Sequence, residues 1–198
     1  MIVYGITGSI ACGKSTVTNY LRDHGYQVID ADLLSREALS IDQTCIDQVQ
    51  SLFGCVKDGI VDRKALGRII FHDAKAKKQL EDIIHPYVIQ KLKEAIFENQ
   101  DKECLFLDIP LLFESHLEYL CDNIIVVYLN ETTQLSRLMK RDHIDEDYAK
   151  TIIANQISCD IKKEKADIVL DNNGDLKSLY KQIEKMMKGI KDGSIINQ

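Results

Sequence analysis

A three-layer α/β fold with a mostly parallel sheet is expected from three features of the sequence. Short apolar runs at Ile2–Ile6, Cys104–Leu107, Asn123–Leu129 and Ala166–Leu170 have the length and composition of buried strands. Between and after them come segments whose apolar residues recur at helical spacing, as βαβ connections require. The third feature is Gly8-Ser9-Ile10-Ala11-Cys12-Gly13-Lys14-Ser15, which joins the first strand to a helix announced by Val17, Tyr20 and Leu21.

That segment fits G-x-x-x-x-G-K-[ST]. Its glycines let the backbone curl so that successive N–H groups point inward, and these amides with the helix N-terminus hold phosphate oxygens. Gly8, Ala11, Cys12, Gly13, Lys14, Ser15 and Thr16 are therefore the expected ATP-binding residues. Lys14 reaches the β- and γ-phosphates, the Ser15 hydroxyl is a ligand for Mg²⁺, and Thr16 is placed for the α-phosphate. The alternative is a glycine-rich turn before an amphipathic helix, with Lys14 solvated.

Composition sets limits. The 198 residues carry 25 basic and 31 acidic side chains, a net charge of −6, which argues against a nucleic-acid groove. Apolar residues at 45% supply enough core to offset the entropy of folding, so disorder is not expected. No apolar run reaches the roughly 18–20 residues of a membrane helix. Met1–Cys12 lacks the basic region of a signal peptide. Of the six cysteines the closest pair, Cys45 and Cys55, is ten positions apart, which excludes C-x-x-C redox and zinc motifs. They read as reduced thiols in a cytoplasmic protein with no membrane, nucleic-acid or obligatory protein partner. Cys12 alone lies in the phosphate motif, where its oxidation would block nucleotide.

The chain has no Asn-Lys-x-Asp tetrapeptide of guanine-specific switches and no length for a motor, which leaves a P-loop kinase for a small molecule. A second short strand, Val28-Ile29-Asp30-Ala31-Asp32, ends in two carboxylates. In a parallel sheet, ligands collect beyond the carboxyl ends of strands. One acid can take the proton of an attacking hydroxyl while the other positions Lys14 or a metal-bound water, or Asp32 only caps a helix over Leu33–Leu39.

Here the sequence resembles the dephospho-coenzyme A kinases. The likeness runs through Thr7–Val17, Val28–Asp32, Asp58–Leu66, Leu80–Pro86, Asp108–Glu114, Gln134-x-x-Arg137-x-x-x-Arg141-Asp142, Gln156 and Ala166–Gly174, in family order. It implies transfer of the ATP γ-phosphoryl group to the ribose 3′-hydroxyl of dephospho-coenzyme A, the last step of coenzyme A synthesis, with ATP and Mg²⁺ required. Asp32 becomes the expected base, with Lys14 and Arg141 as its catalytic partners. The Asp171-Asn172-Asn173-Gly174 turn would approach adenine, or else its asparagines are turn residues without a ligand.

The elements divide accordingly. Residues 1–32, 104–131 and 159–198 are the expected nucleotide-binding core. Residues 33–103 are an inserted helical lobe for the coenzyme A substrate, with helices at Cys45–Phe53, from Asp62 through Phe71, at Lys75–Ile84, and from Pro86 to about Asn99, and a turn at Asp58-Gly59. His85 either touches substrate from this lobe or simply precedes the Pro86 helix start. Asp108 ends a buried strand, either facing a metal-bound water or satisfied by amides. Leu111, in the ridge Pro110–Phe113, packs with some substrate contact. Residues 132–158 are the lid: Gln134, Arg137 and Arg141 share one helix face, suited to phosphate unless Asp142 or Glu131 occupies it. Asp145 caps a second lid helix reaching about Ser158. Asp175 caps the last helix, with Leu176, Leu179, Ile183, Met186 and Ile190 inward and a frayed tail from Gly189.

Overall fold

The structure, a computed structural model, describes residues 1–194. Strand β1 (Ile2–Thr7) runs through the glycine-rich loop into helix α1 (Lys14–Asp23). After β2 (Val28–Asp30) come α2 (Ala31–Ala38), α3 (Gln43–Phe53), the hairpin β3 (Val56–Lys57) and β4 (Ile60–Val61), α4 (Arg63–His72) and α5 (Ala74–Glu98). The chain continues with β5 (Cys104–Asp108), β6 (Asn123–Tyr128), α6 (Glu131–Asp142), α7 (Glu146–Ala154), α8 (Cys159–Glu164), β7 (Ile168–Asp171) and α9 (Leu176–Asp192). Two compact units result: Met1–Ile29 together with the chain from Gln100 onward, and Asp30–Asn99.

In the first unit the sheet order is β2-β5-β1-β6-β7, and β1 pairs in parallel with both β5 and β6. β1 is central because both its faces are apolar. Tyr4 and Ile6 are fully buried on one side against Val17 and Leu21 of α1 and Leu179, Ile183 and Met186 of α9. On the other side a Cβ at Gly5 would lie 2.6 Å from Cys121 Sγ, so only glycine lets the segment after β5 pack this closely. The register places Ile6 beside Asp108, which brings the acid ending β5 level with the start of the glycine-rich loop.

The helical unit buries its own core of Ala38, Ile46, Val49, Val61, Leu66, Leu80 and Ile83. Local chemistry starts and stops its helices as expected. Asp42 and Asp62 accept from the N–H groups of Cys45 and Ala65, and Gly54 closes α3 in the left-handed conformation. Asp58 and Gly59, with φ of 51° and 75°, form the hairpin turn.

Five expectations are corrected. Pro86 does not start a helix but lies inside the 25-residue α5, so His85 is mid-helix. An interior proline costs about 3 kcal/mol. Burial of Leu80 and Ile83 before it and Val88 and Leu92 after it, about 1.5–3 kcal/mol each, outweighs that. The α2 cap is Asp30, whose carboxylate accepts from the N–H groups of Asp32 and Leu33, so both acids belong to the helical unit rather than to a core ending at residue 32. Helix α7 ends at Ala154, and Ser158 starts a separate helix, α8, which sequence patterning missed because it is only six residues long. The last helix runs to Asp192 with Gly193 as its left-handed cap, so residues 189–192 are ordered in it. The rest of the expected frayed tail, 195–198, lies outside the described residues. Leu176, at the first helical position, is exposed rather than on the inward face.

Candidate active site

Of the α-helices among the described residues, α1 alone starts without a side-chain cap. Its cap position is Gly13, in the left-handed region at φ 89°. The opening N–H groups of a helix have no partner within it and carry partial positive charge. Here they stand free of an internal carboxylate or hydroxyl, which is what an external anion requires. Gly8 cannot be larger either, since a Cβ there would lie 2.8 Å from the Val127 carbonyl oxygen.

The loop is held from outside. Ser9 Oγ donates to the Ile157 carbonyl at 2.9 Å, and Asn172 Nδ2 donates to the Cys12 carbonyl at 2.8 Å. Asn172 is thus a buried brace under the loop, and its own carbonyl accepts from Arg137 at 3.0 Å. Asn173 is engaged by Asn130 and Asp171 within the turn.

Lys14 Nζ forms a part-buried ion pair with the buried Asp108 at the end of β5. The acid beside Lys14 is Asp108, a pairing that the sequence reading did not make. Neighbouring strands set the pair, because the β1–β5 register carries Asp108 to the same end as the loop. Ser15 is exposed on the first turn of α1 and Thr16 is half-buried.

Cys12 is fully enclosed and its thiol is pushed up to about 12, chiefly by burial and then by Cys159. A neutral buried thiol is a poor nucleophile, which opposes ready oxidation of Cys12. At neutral pH, iodoacetamide should label Cys12 far more slowly in the native protein than after denaturation, read by peptide mass spectrometry. Equal rates would contradict this burial.

The shared face of α6 splits by depth. Gln134 is buried, Arg137 half-buried, and Arg141 exposed with its guanidinium bidentate on Asp142 at 2.7 and 2.8 Å. Arg141 is held charged by that bond, and Asp142 is lowered by the same contact. Of the two acids weighed for the arginine face, Asp142 and Glu131, Asp142 takes one of its two arginines. Asp32 is exposed on the first turn of α2, relieved of capping by Asp30. His85 is half-buried in α5. Leu111 is exposed while Leu112 and Phe113 beside it are buried, so the ridge packs through the latter two.

Three features escaped sequence reasoning. Lys162 is completely buried, its Nζ 2.9 Å from Glu114 Oε1 and 3.2 Å from the Pro110 carbonyl. In sequence it sits in a Lys-Lys-Glu-Lys run that resembles a solvated face. Asn172 as a brace, and Gln156 as a partner of the loop, also depend on residues more than 140 positions away.

A parallel sheet with a central β1, an uncapped α1 behind a glycine-rich loop, and a lysine held at the neighbouring strand end define a P-loop nucleotide-binding protein of the small-kinase class. The family model described as Dephospho-CoA kinase matches residues 1–178, and the chain belongs to that family. It is accordingly an ATP-dependent kinase, a transferase. It is 43% identical over 192 residues to the dephospho-CoA kinase of Oceanobacillus iheyensis, covering 94% of this chain and 96% of the relative. The Shouchella clausii enzyme is 42% identical over 184 residues, with 90% and 93% covered. Among solved structures, dephospho-CoA kinase from Campylobacter jejuni is 32% identical with a TM-score of 0.76, covering 97% of this chain and 98% of that one. No helix among the described residues is long and apolar enough to cross a membrane.

Proposed function

We infer that this chain transfers the γ-phosphoryl group of ATP to the ribose 3′-hydroxyl of dephospho-coenzyme A, giving coenzyme A and ADP. The observation that carries the reading is the uncapped α1 with Lys14 poised on Asp108, in a chain matched to the family across residues 1–178. The amides of Gly13, Lys14 and Ser15 bind the ATP phosphates, with Gly8, Ala11, Cys12 and Thr16 shaping the loop. Lys14 exchanges its carboxylate partner for phosphate oxygens and stabilises the charge that develops on them.

The residues present suit Mg²⁺: Ser15 offers an exposed hydroxyl oxygen, the ligand type this ion takes alongside waters and substrate phosphates. When bound, Mg²⁺ supplies positive charge that offsets charge on the transferring group. Asp32 takes the proton of the 3′-hydroxyl, since it lies just past the carboxyl end of β2 and its carboxylate is not used as a cap. Arg141 joins the phosphates when the lid, residues 132–158, closes. Its ion pair is exposed, and such pairs contribute little, so a phosphate can replace Asp142. Arg137 and Asn172 hold the nucleotide side of the site. The helical lobe, residues 33–103, takes the acceptor, with His85 on it and Leu111 from the nucleotide-binding unit as contacts. Closure excludes water and so limits ATP hydrolysis before the alcohol is aligned.

A coupled ADP-release assay tests this. ADP formation should depend on dephospho-coenzyme A and be absent with nucleotides, shikimate or gluconate as acceptors. Clear turnover of another alcohol, with none of dephospho-coenzyme A, would overturn the assignment.

A further inference from the structure

Ile10, in the middle of the phosphate loop, is gripped at both its backbone groups by side chains from outside the loop. Its N–H donates to Gln156 Oε1 at 2.8 Å, and its carbonyl accepts from Gln134 Nε2 at 2.9 Å. Because the partners are a backbone donor and a backbone acceptor, the orientation of each amide is unambiguous. Gln134 lies one turn into α6, and Gln156 lies two residues beyond the end of α7. The α6–α7 hairpin is thus fastened by both its roots to one residue of the loop.

The Gln156 root is itself anchored. The next residue, Ile157, accepts from Ser9 Oγ and donates its N–H to Glu114 Oε1 at 3.0 Å. That carboxylate is held by the fully buried ammonium of Lys162. On the loop side the residue after Ile10 is Ala11, whose φ of 62° is a left-handed conformation that a side chain with a Cβ resists. A peptide that would otherwise relax is being clamped next to the amides that face the phosphates.

We propose that Gln134 and Gln156 are positioning residues for phosphoryl transfer. By clamping Ile10 they keep Ala11 in its left-handed turn, so that the loop is shaped before nucleotide arrives. Because the same two bonds root the α6–α7 hairpin, occupancy of the loop by ATP is transmitted to the hairpin, whose α6 carries Arg137 and Arg141. This rests on the reading of the loop as the ATP site, and the test separates the two.

Gln134→Met and Gln156→Met keep side-chain volume and remove one bond each. ATP affinity, measured by titration calorimetry, should weaken about three- to tenfold in each, the worth of one net hydrogen bond. KM for the acceptor should not change. Gln156→Glu keeps the acceptor oxygen that the Ile10 N–H needs. At high salt, where its added charge is screened, it should recover most of the lost affinity. Amide hydrogen exchange supplies a readout independent of turnover. ATP should slow exchange across residues 131–154 in the unaltered protein and fail to do so in the Gln134→Met/Gln156→Met double variant, while still protecting residues 13–16. Should the double variant not fold, the single variants carry the same readouts at reduced size. Unchanged ATP affinity in both Met variants, no recovery in Gln156→Glu, or undiminished ATP protection of the hairpin in the double variant would overturn the proposal. Failure of the unaltered protein to bind ATP would instead strike the functional reading beneath it.

Discussion

Lys14→Ala is expected to lower turnover by about three orders of magnitude or more. The lysine is the cation that the fold aims at the phosphates, and its removal has two consequences. Transition-state charge on the transferring group loses its stabilising partner in a site where few waters can replace it. In addition, the buried Asp108 carboxylate loses the charge of Lys14 beside an incoming polyanion. Asp108→Asn separates these consequences, because the amide keeps a hydrogen-bond acceptor for Lys14 while removing the charge. It should therefore cost turnover much less than Lys14→Ala. Steady-state ADP release with dephospho-coenzyme A in excess measures both variants. A Lys14→Ala enzyme within tenfold of the unaltered one would mean that Lys14 stabilises Asp108 and not phosphate.

Asp32→Asn should reduce kcat by about 10²–10⁴, the range ascribed to a positioned general base. ATP affinity should be unchanged, because the role given to this carboxylate is proton transfer from the acceptor and not nucleotide binding. The structure sharpens this test. Asp30 carries the cap of α2, accepting from Asp32 N–H at 2.9 Å and from Leu33 N–H at 3.2 Å, so Asp32→Asn leaves the helix start intact. Asp30→Asn also leaves a competent cap, since asparagine and aspartate are comparable there. Turnover that falls in Asp32→Asn but holds in Asp30→Asn assigns the base to Asp32. Turnover close to that of the unaltered protein in Asp32→Asn would remove Asp32 from that role.

Much of this was legible in the residues because it rests on short-range physics. Burial on both faces makes Cys104–Asp108 a strand whatever its neighbours are, and the expected bounds match those observed. Asp62, Asn130, Asp145 and Asp175 each satisfy a backbone N–H group three residues ahead, so a helix start is written within a few positions. The Gly-x-x-x-x-Gly-Lys-Ser spacing likewise encodes its own turn. Where two local signals competed, patterning failed. Asp30 and Asp32 are both plausible caps, and the structure gives the cap to Asp30. Pro86 is a start signal in isolation, yet it sits mid-helix because side chains on both sides of it are buried together.

By itself, then, the sequence determined the strands of the parallel sheet, the anion nest ahead of α1 and the class of reaction, because each depends on residues that are neighbours in the chain. The tertiary structure alone decided which acid holds Lys14, why Lys162 can be buried at Glu114, and that Gln134, Gln156 and Asn172 converge on the loop from positions 134, 156 and 172. Those choices follow from strand register and helix packing, and a polar side chain has no one-dimensional pattern that names a partner a hundred residues away.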